Sequence, residues 1–314
     1  MSDETRSDLN DVVIRQFAED DLERLSTLLR ETPEVMRNGD DVSAETLRAQ
    51  LARPGHEATR DRWVAAHSSA PERLLGYAAV FKAPVNPRAD MLVITHPSAR
   101  HAGIGSALLE RALADAQALG ASGALGYVNA QDTEAAEFTR HRGFAEVSAY
   151  VQLRADAGQS FPKPAWPDGF TIHPWRGEAD LPTLVEAANR SYGDQWGHII
   201  ATLEDWTHWL PEIDPRGLAF LYAADGALAG MSRATLRASD GRRIGVIDAP
   251  GVIPAWRSVE VYRALLLHAI SWLAPQDPTE YIVESWGDDP AVIAAYQALG
   301  FSISQREVMF YQQV

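Results

Sequence analysis

The residues whose types and spacing best suit a chemical role form one short loop, Arg100-His101-Ala102-Gly103-Ile104-Gly105-Ser106. Its two glycines lack a Cβ, so consecutive backbone N–H groups can turn to the same side without a steric penalty. A helical pattern follows directly, and the N-terminus of a helix attracts anions through its free N–H groups and its dipole. We therefore expect a concave site for a pyrophosphate here, with Arg100 supplying a cation at its rim.

The elements around this loop are those needed to hold it in place. The apolar run MLVIT, residues 91–95, predicts a strand before the loop, and the pattern from Ile104 to Leu119 predicts a helix after it. Gly120 is a suitable C-terminal stop for that helix. A further strand and a helix over 133–142 then lead to the pair Gly143-Phe144. This context makes an anion site a more specific prediction than the loop alone would.

The sequence contains an internal repeat, which accounts for its length of 314 residues. A constant offset over a long stretch is expected for two copies of one fold. The matching residues, always 157 positions apart, are Pro97 and Pro254, Arg100 and Arg257, and Gly143-Phe144 and Gly300-Phe301.

Each half predicts a mixed α/β unit, because runs with strand character precede and follow amphipathic helical runs. The fold class is therefore α/β (α+β), with two similar domains, each a mixed sheet flanked by helices. We expect an N-terminal domain over 1–155, a linker over 156–168 and a C-terminal domain over 169–314. The linker contains three prolines, which disfavour helix and predict a semi-extended segment.

The composition excludes several classes of protein. A net charge of −15 argues against nucleic acid as a partner. The acidity either serves to keep the protein soluble or favours a cationic or amine-bearing small substrate. The absence of cysteine excludes disulfides, cysteine-ligated zinc and thiol catalysis. The acidic N-terminus is not a targeting signal, and no apolar run approaches the roughly 18 residues of a membrane span. We expect a cytoplasmic monomer or homodimer with neither a metal nor a membrane partner.

Taken together, the strand, the glycine loop, the helix and Gly143-Phe144 resemble the GNAT N-acetyltransferase superfamily, and both halves show the resemblance. It implies tandem GNAT domains, each with a mostly antiparallel sheet, and acetyl-CoA as cosubstrate. It also implies direct transfer to a small-molecule amine through a ternary complex. The implied acetyl-CoA contacts are Val93, Ile94 and Thr95 on the strand, and Arg100, His101, Ala102, Gly103, Ile104, Gly105 and Ser106 in the loop.

The two halves depart from the family pattern at different positions. In the second loop, Glu260 and Tyr262 stand where the first has Gly103 and Gly105. A carboxylate beside a pyrophosphate is a like-charge clash, so we expect this loop not to bind acetyl-CoA in the usual manner. The family's frequent general acid is a tyrosine four residues before Gly-Phe. That position is Tyr296 in the second half but Thr139 in the first, and both are candidate catalytic residues.

The acceptor amine must be uncharged to react, so a base or a water chain is expected near the centre of the sheet. Asp90, on the strand before the loop, is the first candidate, followed by His96 and His101; each is alternatively a solvated strand or loop residue. A backbone N–H around Ile94–Thr95 is a candidate donor to the developing oxyanion. The second half offers Glu284 and Asp248.

Two other functions remain open. The replacement of the expected tyrosine by Thr139 is compatible with a non-catalytic acyl-CoA-binding or interaction protein. The tandem arrangement also resembles mycothiol synthase and its relatives, which implies acetylation of a cysteinyl pseudodisaccharide. That family is expected to run its chemistry in the C-terminal domain, where this chain lacks the glycine loop.

Overall fold

The protein is described by a computed structural model over residues 11–32, 42–51, 60–82, 86–210, 213–239, 241–287 and 289–314. The chain forms two compact units. Unit 1 comprises Met1–Val147 together with Glu307–Val314, and unit 2 comprises Ser148–Arg306. None of the helices within the described ranges is both long and apolar enough to cross a membrane.

Unit 1 is built on a mixed sheet of six strands. Its neighbouring strands run antiparallel except for β4 and β5, which are parallel. In spatial order the strands are β1 (Val12–Gln16), β2 (Arg62–His67), β3 (Ala70–Phe81), β4 (Arg88–Thr95), β5 (Gly123–Asn129) and the end of β12 (Ser302–Gln313).

The parallel pair β4 and β5 separates part-way along its length. Its register runs from Arg88 opposite Gly123 to Met91 opposite Gly126. Both strands continue beyond this point, β4 to Thr95 and β5 to Asn129. Residues 92–95 of β4 therefore have no ladder partner in β5.

Helices cover both faces of this sheet. They are α1 (Leu22–Glu31), α2 (Ala44–Leu51), α3 (Ile104–Ala118) and α4 (Thr133–His141). Because side chains alternate along a strand, each strand serves two cores. Ala65 and Met91 pack with Leu108 of α3, whereas Val64 and Ile94 pack with residues of α1. We call these the α3/α4 face and the α1/α2 face.

Unit 2 repeats this plan. Its sheet has one parallel pair, β10 and β11, and its other paired strands are antiparallel. The strands in order are β6 (Ala145–Asp156), β11 (Glu280–Trp286), β10 (Arg242–Val252), β9 (Leu228–Ser239), β8 (Leu218–Tyr222) and β7 (Thr171–Pro174). The helices are α5 (Leu181–Tyr192), α6 (Leu203–Trp209), α7 (Val259–Leu273) and α8 (Pro290–Gln297).

These elements confirm the predicted fold class and repeat. The bounds of β11 and β12 are those of β5 and β6 shifted by 157 residues. Helix α6 was not predicted, although its position corresponds to α2. The sequence carries a signal for it, since Thr202 and Asp205 form a capping box at its N-terminus.

The compact units do not follow the predicted domain bounds of 1–155 and 169–314. The reason is an exchange of the last strand of each half. Glu307–Gln313 of β12 pair with β5 in unit 1, and Tyr150–Asp156 of β6 pair with β11 in unit 2. The segment from 157 to 170 contains no helix or strand; that residues 156–168 link two domains stays a prediction.

Candidate active site

Unit 1 contains a cavity of about 370 Å³ where β4 and β5 separate. Its volume lies within the range of roughly 300–1,000 Å³ usual for small-molecule sites. The walls come from β4, the following loop, α3, β5, α4 and β12. The lining residues include Met91, Leu92, Val93, Ile94, Thr95, Arg100, His101, Gly103, Gly105, Ser106, Tyr127, Val128, Asn129, Asp132, Glu134, Phe138, Thr139, Arg142 and Glu307.

The loop between β4 and α3 has the backbone conformation that its glycines predict. His101 and Gly103 adopt positive φ angles of 63° and 84°. Gly103 is the N-cap of α3 and offers no side chain to bond the first helical N–H groups. Those N–H groups have no partner within a helix, so they are available to an anion. A Cβ on Gly105 would lie 3.1 Å from the Thr95 hydroxyl oxygen, so glycine also permits close packing against β4.

Two arginines border this loop. Arg100 lines the cavity as predicted. Arg142, which follows α4, also lines it and donates a hydrogen bond to the Ser106 hydroxyl. The Arg142 guanidinium lies 4.9 Å from the centroid of the Phe138 ring, which helps to hold it in this position. The cavity therefore has a cationic end at the N-terminus of α3.

Most of the predicted cofactor-binding residues line this one cavity, namely Val93, Ile94, Thr95, Arg100, His101, Gly103, Gly105 and Ser106. Ala102 and Ile104 do not, because their side chains pack into the core on the α3/α4 face. These two residues have only backbone groups to offer an anion. Binding of acetyl-CoA by this set stays a prediction.

The catalytic candidates of the first half occupy different places. Thr139 lines the cavity, but its hydroxyl donates to the backbone oxygen of Ala135 at 2.7 Å. Asp90 does not line the cavity but directly precedes Met91, which does. It lies on the same face of β4 as Leu92 and Ile94. His96 is buried beside Glu31, with its Nε2 atom 3.1 Å from the Glu31 carboxylate. His101 Nε2 lies 3.1 Å from the exposed Glu134 carboxylate.

The corresponding loop of unit 2 is occupied by the protein's own polar groups. Arg257, the counterpart of Arg100, donates to both carboxylate oxygens of Asp194 at 2.6 and 2.7 Å. These bonds hold the pKa of Asp194 below its usual value. The hydroxyl of Ser258 accepts from Val261 N and caps α7. Hydrogen bonds from its own backbone N–H and from Ser258 lower the pKa of Glu260.

The other second-half candidates also lie within unit 2. Tyr296 is 1% exposed in its core, and burial raises the pKa of this phenol well above its usual value. Burial likewise raises the pKa of Tyr262. Asp248 forms an ion pair with Arg233, and Glu284 adds to the negative charge near the same guanidinium. None of these four residues lines the cavity of unit 1.

No group of three or more His, Cys, Asp or Glu side chains in the described ranges is arranged to hold a metal ion.

Comparison with known proteins points to one family. Residues 59–146 match the family model of the acetyltransferase (GNAT) domain. The chain contains a GNAT N-acetyltransferase domain. The matched segment includes all of β4, α3, β5 and α4, and so most of the cavity wall. Proteins with this fold use acyl-CoA, which agrees with the cationic end of the cavity.

Curated proteins similar to this chain include several mycothiol acetyltransferases. A mycothiol acetyltransferase of Nocardioides sp. is 28% identical over 277 residues, covering 83% of this chain and 92% of the relative. A mycothiol acetyltransferase of Thermomonospora curvata is 29% identical over 242 residues, covering 76% of this chain and 78% of the relative.

Solved structures with the same fold include two that cover almost the whole chain. A GCN5-related N-acetyltransferase from Sphaerobacter thermophilus has a TM-score of 0.78 at 20% identity, covering 97% of this chain and 96% of its own. A tandem GNAT protein from the clavulanic acid biosynthesis pathway has a TM-score of 0.65 at 19% identity, covering 96% and 98%. These likenesses support the tandem fold.

Sequence reasoning missed four charged residues that line the cavity of unit 1, namely Asp132, Glu134, Arg142 and Glu307. Arg142 could have been found by comparing the halves, because its counterpart is Leu299 in the half that lost the glycine loop. Glu307 reaches the site only through strand exchange and has no local motif around it.

Proposed function

We propose that the cavity of unit 1 binds acetyl-CoA, and that the chain transfers the acetyl group directly to the amine of a small molecule bound at the same time. One observation carries this proposal. The parallel strands β4 and β5 separate directly in front of the N-terminus of α3, whose N-cap is a glycine with positive φ. An extended thioester arm and an anionic pyrophosphate fit this arrangement together.

The residues present suit each part of acetyl-CoA. The N–H groups at the start of α3, with Arg100 and Arg142, would hold the pyrophosphate. The backbone edge of β4 over 92–95 would pair with the amide groups of the pantetheine arm, as an added strand does. The bound thioester supplies an activated acetyl group to an attacking amine.

Acetyl transfer also needs an acceptor for the amine proton and a donor to the thiolate. Asp90 is the candidate acceptor of the amine proton, because it shares the α1/α2 face of β4 with Leu92 and Ile94. Thr139 is the candidate proton donor to the leaving thiolate, and its hydroxyl would have to leave Ala135 to act. Tyr296 is a candidate only for a separate reaction in unit 2.

Titration of the full chain with acetyl-CoA in a calorimeter tests the binding site. We expect one site, lost in Gly103→Glu because the new carboxylate repeats what Glu260 places in the second loop. Gly226→Glu is a matched control, since Gly226 has a φ of 81° and open space around it. It adds the same charge and the same backbone strain at a hairpin in unit 2.

Turnover is measured as release of the CoA thiol with a panel of primary amines. The chain has no cysteine, so a thiol reagent reports CoA alone. Gly103→Glu should lose affinity for acetyl-CoA at least about 100-fold, and Gly226→Glu should match the wild type. Two equal binding sites, or unchanged affinity in Gly103→Glu, would contradict the proposal.

The hydrogen bond from Thr139 to Ala135 favours a second function, a non-catalytic acyl-CoA-binding protein. An alcohol whose proton is already donated within a helix is a poor acid for a thiolate. This alternative predicts acetyl-CoA binding without thiol release for every amine. Release above the rate of the uncatalysed reaction with any amine excludes it.

The names of the curated relatives favour a third function, acetylation of the cysteinyl pseudodisaccharide precursor of mycothiol. The second loop argues against this function, because Glu260 places a carboxylate there and Arg257 is already paired with Asp194. Turnover of that precursor that survives Gly103→Glu would place the chemistry in unit 2 and support this alternative over our proposal.

A further inference from the structure

The cavity of unit 1 contains a buried carboxylate from the far end of the chain. Glu307, on β12, is 6% exposed and lines the cavity together with Asn129 of β5. The two residues are direct partners in the antiparallel register of β12 and β5. Glu307 is therefore held by a sheet ladder and not by a mobile loop.

The alternation of side chains shows which face of the sheet Glu307 occupies. Its neighbours Val308 and Phe310 pack into the core on the α3/α4 face, as does Val128 of β5. Because side chains alternate between the faces, Glu307 and Asn129 lie on the α1/α2 face. The cavity thus has cations on the α3/α4 face and a carboxylate on the opposite face of the separated strands.

This distribution of charge distinguishes two ligands. The pyrophosphate end requires cations, which Arg100 and Arg142 supply. The other lining carboxylates lie on the α4 side of the cavity, where Asp132 caps α4 and Glu134 approaches His101. A buried carboxylate on the opposite face repels an anion and is stabilised by a cation that reaches it.

The carboxylate occurs only in the unit with the intact loop. At the repeat offset of 157, Glu307 corresponds to Tyr150 of β6. Tyr150 is fully buried in unit 2, and its ring centroid lies 4.7 Å from that of Trp286. One copy of the strand therefore places a charge at this position, whereas the other places a packed aromatic ring there.

We propose that Glu307 forms the acceptor subsite of unit 1, and that its carboxylate accepts hydrogen bonds from the ammonium group of a cationic amine entering from the α1/α2 face. The bound nitrogen gives up one proton, to Asp90 or to water, before it attacks the thioester. The proposal rests on the proposed acetyl transfer and specifies its second substrate as an amine that is positively charged in solution. Uncharged alcohols of the same shape gain no ion pair and bind more weakly.

Steady-state kinetics on the full chain tests this subsite, using ethanolamine, putrescine, tyramine and glucosamine as probes. For the probe with the highest turnover, Glu307→Gln should raise the KM for the amine by about 10- to 100-fold, the usual effect of losing a hydrogen bond to a charged group. The KM for acetyl-CoA should stay within about twofold. Glu110→Gln, an exposed glutamate of α3, is the matched control and should change neither value.

Calorimetry provides a readout that needs no turnover. Wild type saturated with CoA should bind the same amines, whereas Glu307→Gln should bind them about as weakly as the wild type binds the corresponding alcohols. Glu307→Asp keeps the charge and should have an intermediate affinity. It also serves as the test if Glu307→Gln does not fold, which thermal unfolding reports.

Several outcomes would overturn the subsite. These are an unchanged KM for the amine in Glu307→Gln, equal loss of acetyl-CoA affinity in that variant, and no binding of any probe by the wild type. Failure of the proposed function is recognised separately, because in that case the wild type does not bind acetyl-CoA or does not release CoA thiol.

Discussion

At the scale of single residues, the two halves of the chain differ at positions where unit 1 is proposed to bind an anion. Unit 1 keeps Gly103 and Arg142, whereas the corresponding residues of unit 2 are Glu260 and Leu299. A helix N-terminus needs acceptors for its N–H groups. In unit 2, Ser258 meets this need from within the protein. In unit 1 the cap is a glycine, so an external anion can take that place.

Arg142→Leu, which copies Leu299 of unit 2, tests this difference. We expect the KM for acetyl-CoA to rise about tenfold, because the variant loses a cation that contacts Ser106 beside the proposed pyrophosphate site. The KM for acetyl-pantetheine, which lacks the nucleotide and the pyrophosphate, should not change. Arg140→Leu is the control, since Arg140 is exposed and does not line the cavity. Equal effects on both thioesters would contradict a phosphate contact.

At the scale of elements, the first helix of each half begins with the same device. In each half, a short 3₁₀ turn ends in a buried aspartate whose carboxylate accepts hydrogen bonds from an arginine. Arg15 of β1 donates to both oxygens of Asp21 at 2.6 and 2.7 Å, and Arg176 bonds Asp180 in the same way. Burial alone would raise the pKa of Asp21, but the hydrogen bonds from Arg15 and from Ala18 N outweigh it, so this pKa lies below its usual value.

Asp21→Asn tests this anchor of α1 on β1. We expect the variant to lose about 1.5–3 kcal/mol of unfolding free energy at pH 7, since hydrogen bonds to a charged group are removed. Because the pKa of Asp21 is lowered on folding, the carboxylate stabilises the protein above its unfolded pKa of about 3.9. That contribution is lost as the pH falls through the lower, folded value.

Urea denaturation at pH 7 and at pH 3 measures the effect, with the exposed neighbour Asp20→Asn as control. The difference between wild type and Asp21→Asn should shrink at the lower pH. A difference that grows instead would contradict the sign of the pKa shift.

At the scale of the whole molecule, neither half of the sequence supplies a complete unit. The last eight residues, 307–314, belong to unit 1, where they pair with β5 and add Val308 and Phe310 to the core. Burying side chains of this size contributes about 1.5–3 kcal/mol each. Folding of unit 1 is therefore coupled to a strand that lies 160 residues beyond Val147 in the chain.

Truncated chains test this coupling. Residues 1–155 alone should unfold at a lower temperature than the full chain and should not bind acetyl-CoA, since β5 loses its partner strand. Residues 1–147 joined through a flexible glycine–serine linker to residues 307–314 should recover both properties. A fusion with the same eight residues in scrambled order is the control. Full binding by residues 1–155 alone would show that the exchanged strand is dispensable.

The sequence alone was sufficient for most features that depend on neighbouring residues; helix α6 is an exception, because its capping box of Thr202 and Asp205 was not recognised. The strand, the loop with Gly103 and the helix that begins at Ile104 were predicted because glycine spacing and apolar periodicity are local signals. The repeat was equally visible, since the offset of 157 preserves Arg100 as Arg257. The order of helices and strands, and from it the fold class, followed from the same patterns.

Tertiary structure decided what depends on long-range pairing. β6 and β12 occupy equivalent positions in the two halves, and no local signal determines whether each pairs within its own half or with the other. The register of Glu307 with Asn129 comes from that choice, as does the placement of a carboxylate on the α1/α2 face of the cavity. Arg142 was likewise placed beside Ser106 only by the packing of α4 against the loop. Thus the sequence determined the glycine loop and the duplicated fold, because both depend on local patterns, whereas the exchange of strands decided that Glu307 lines the cavity of unit 1.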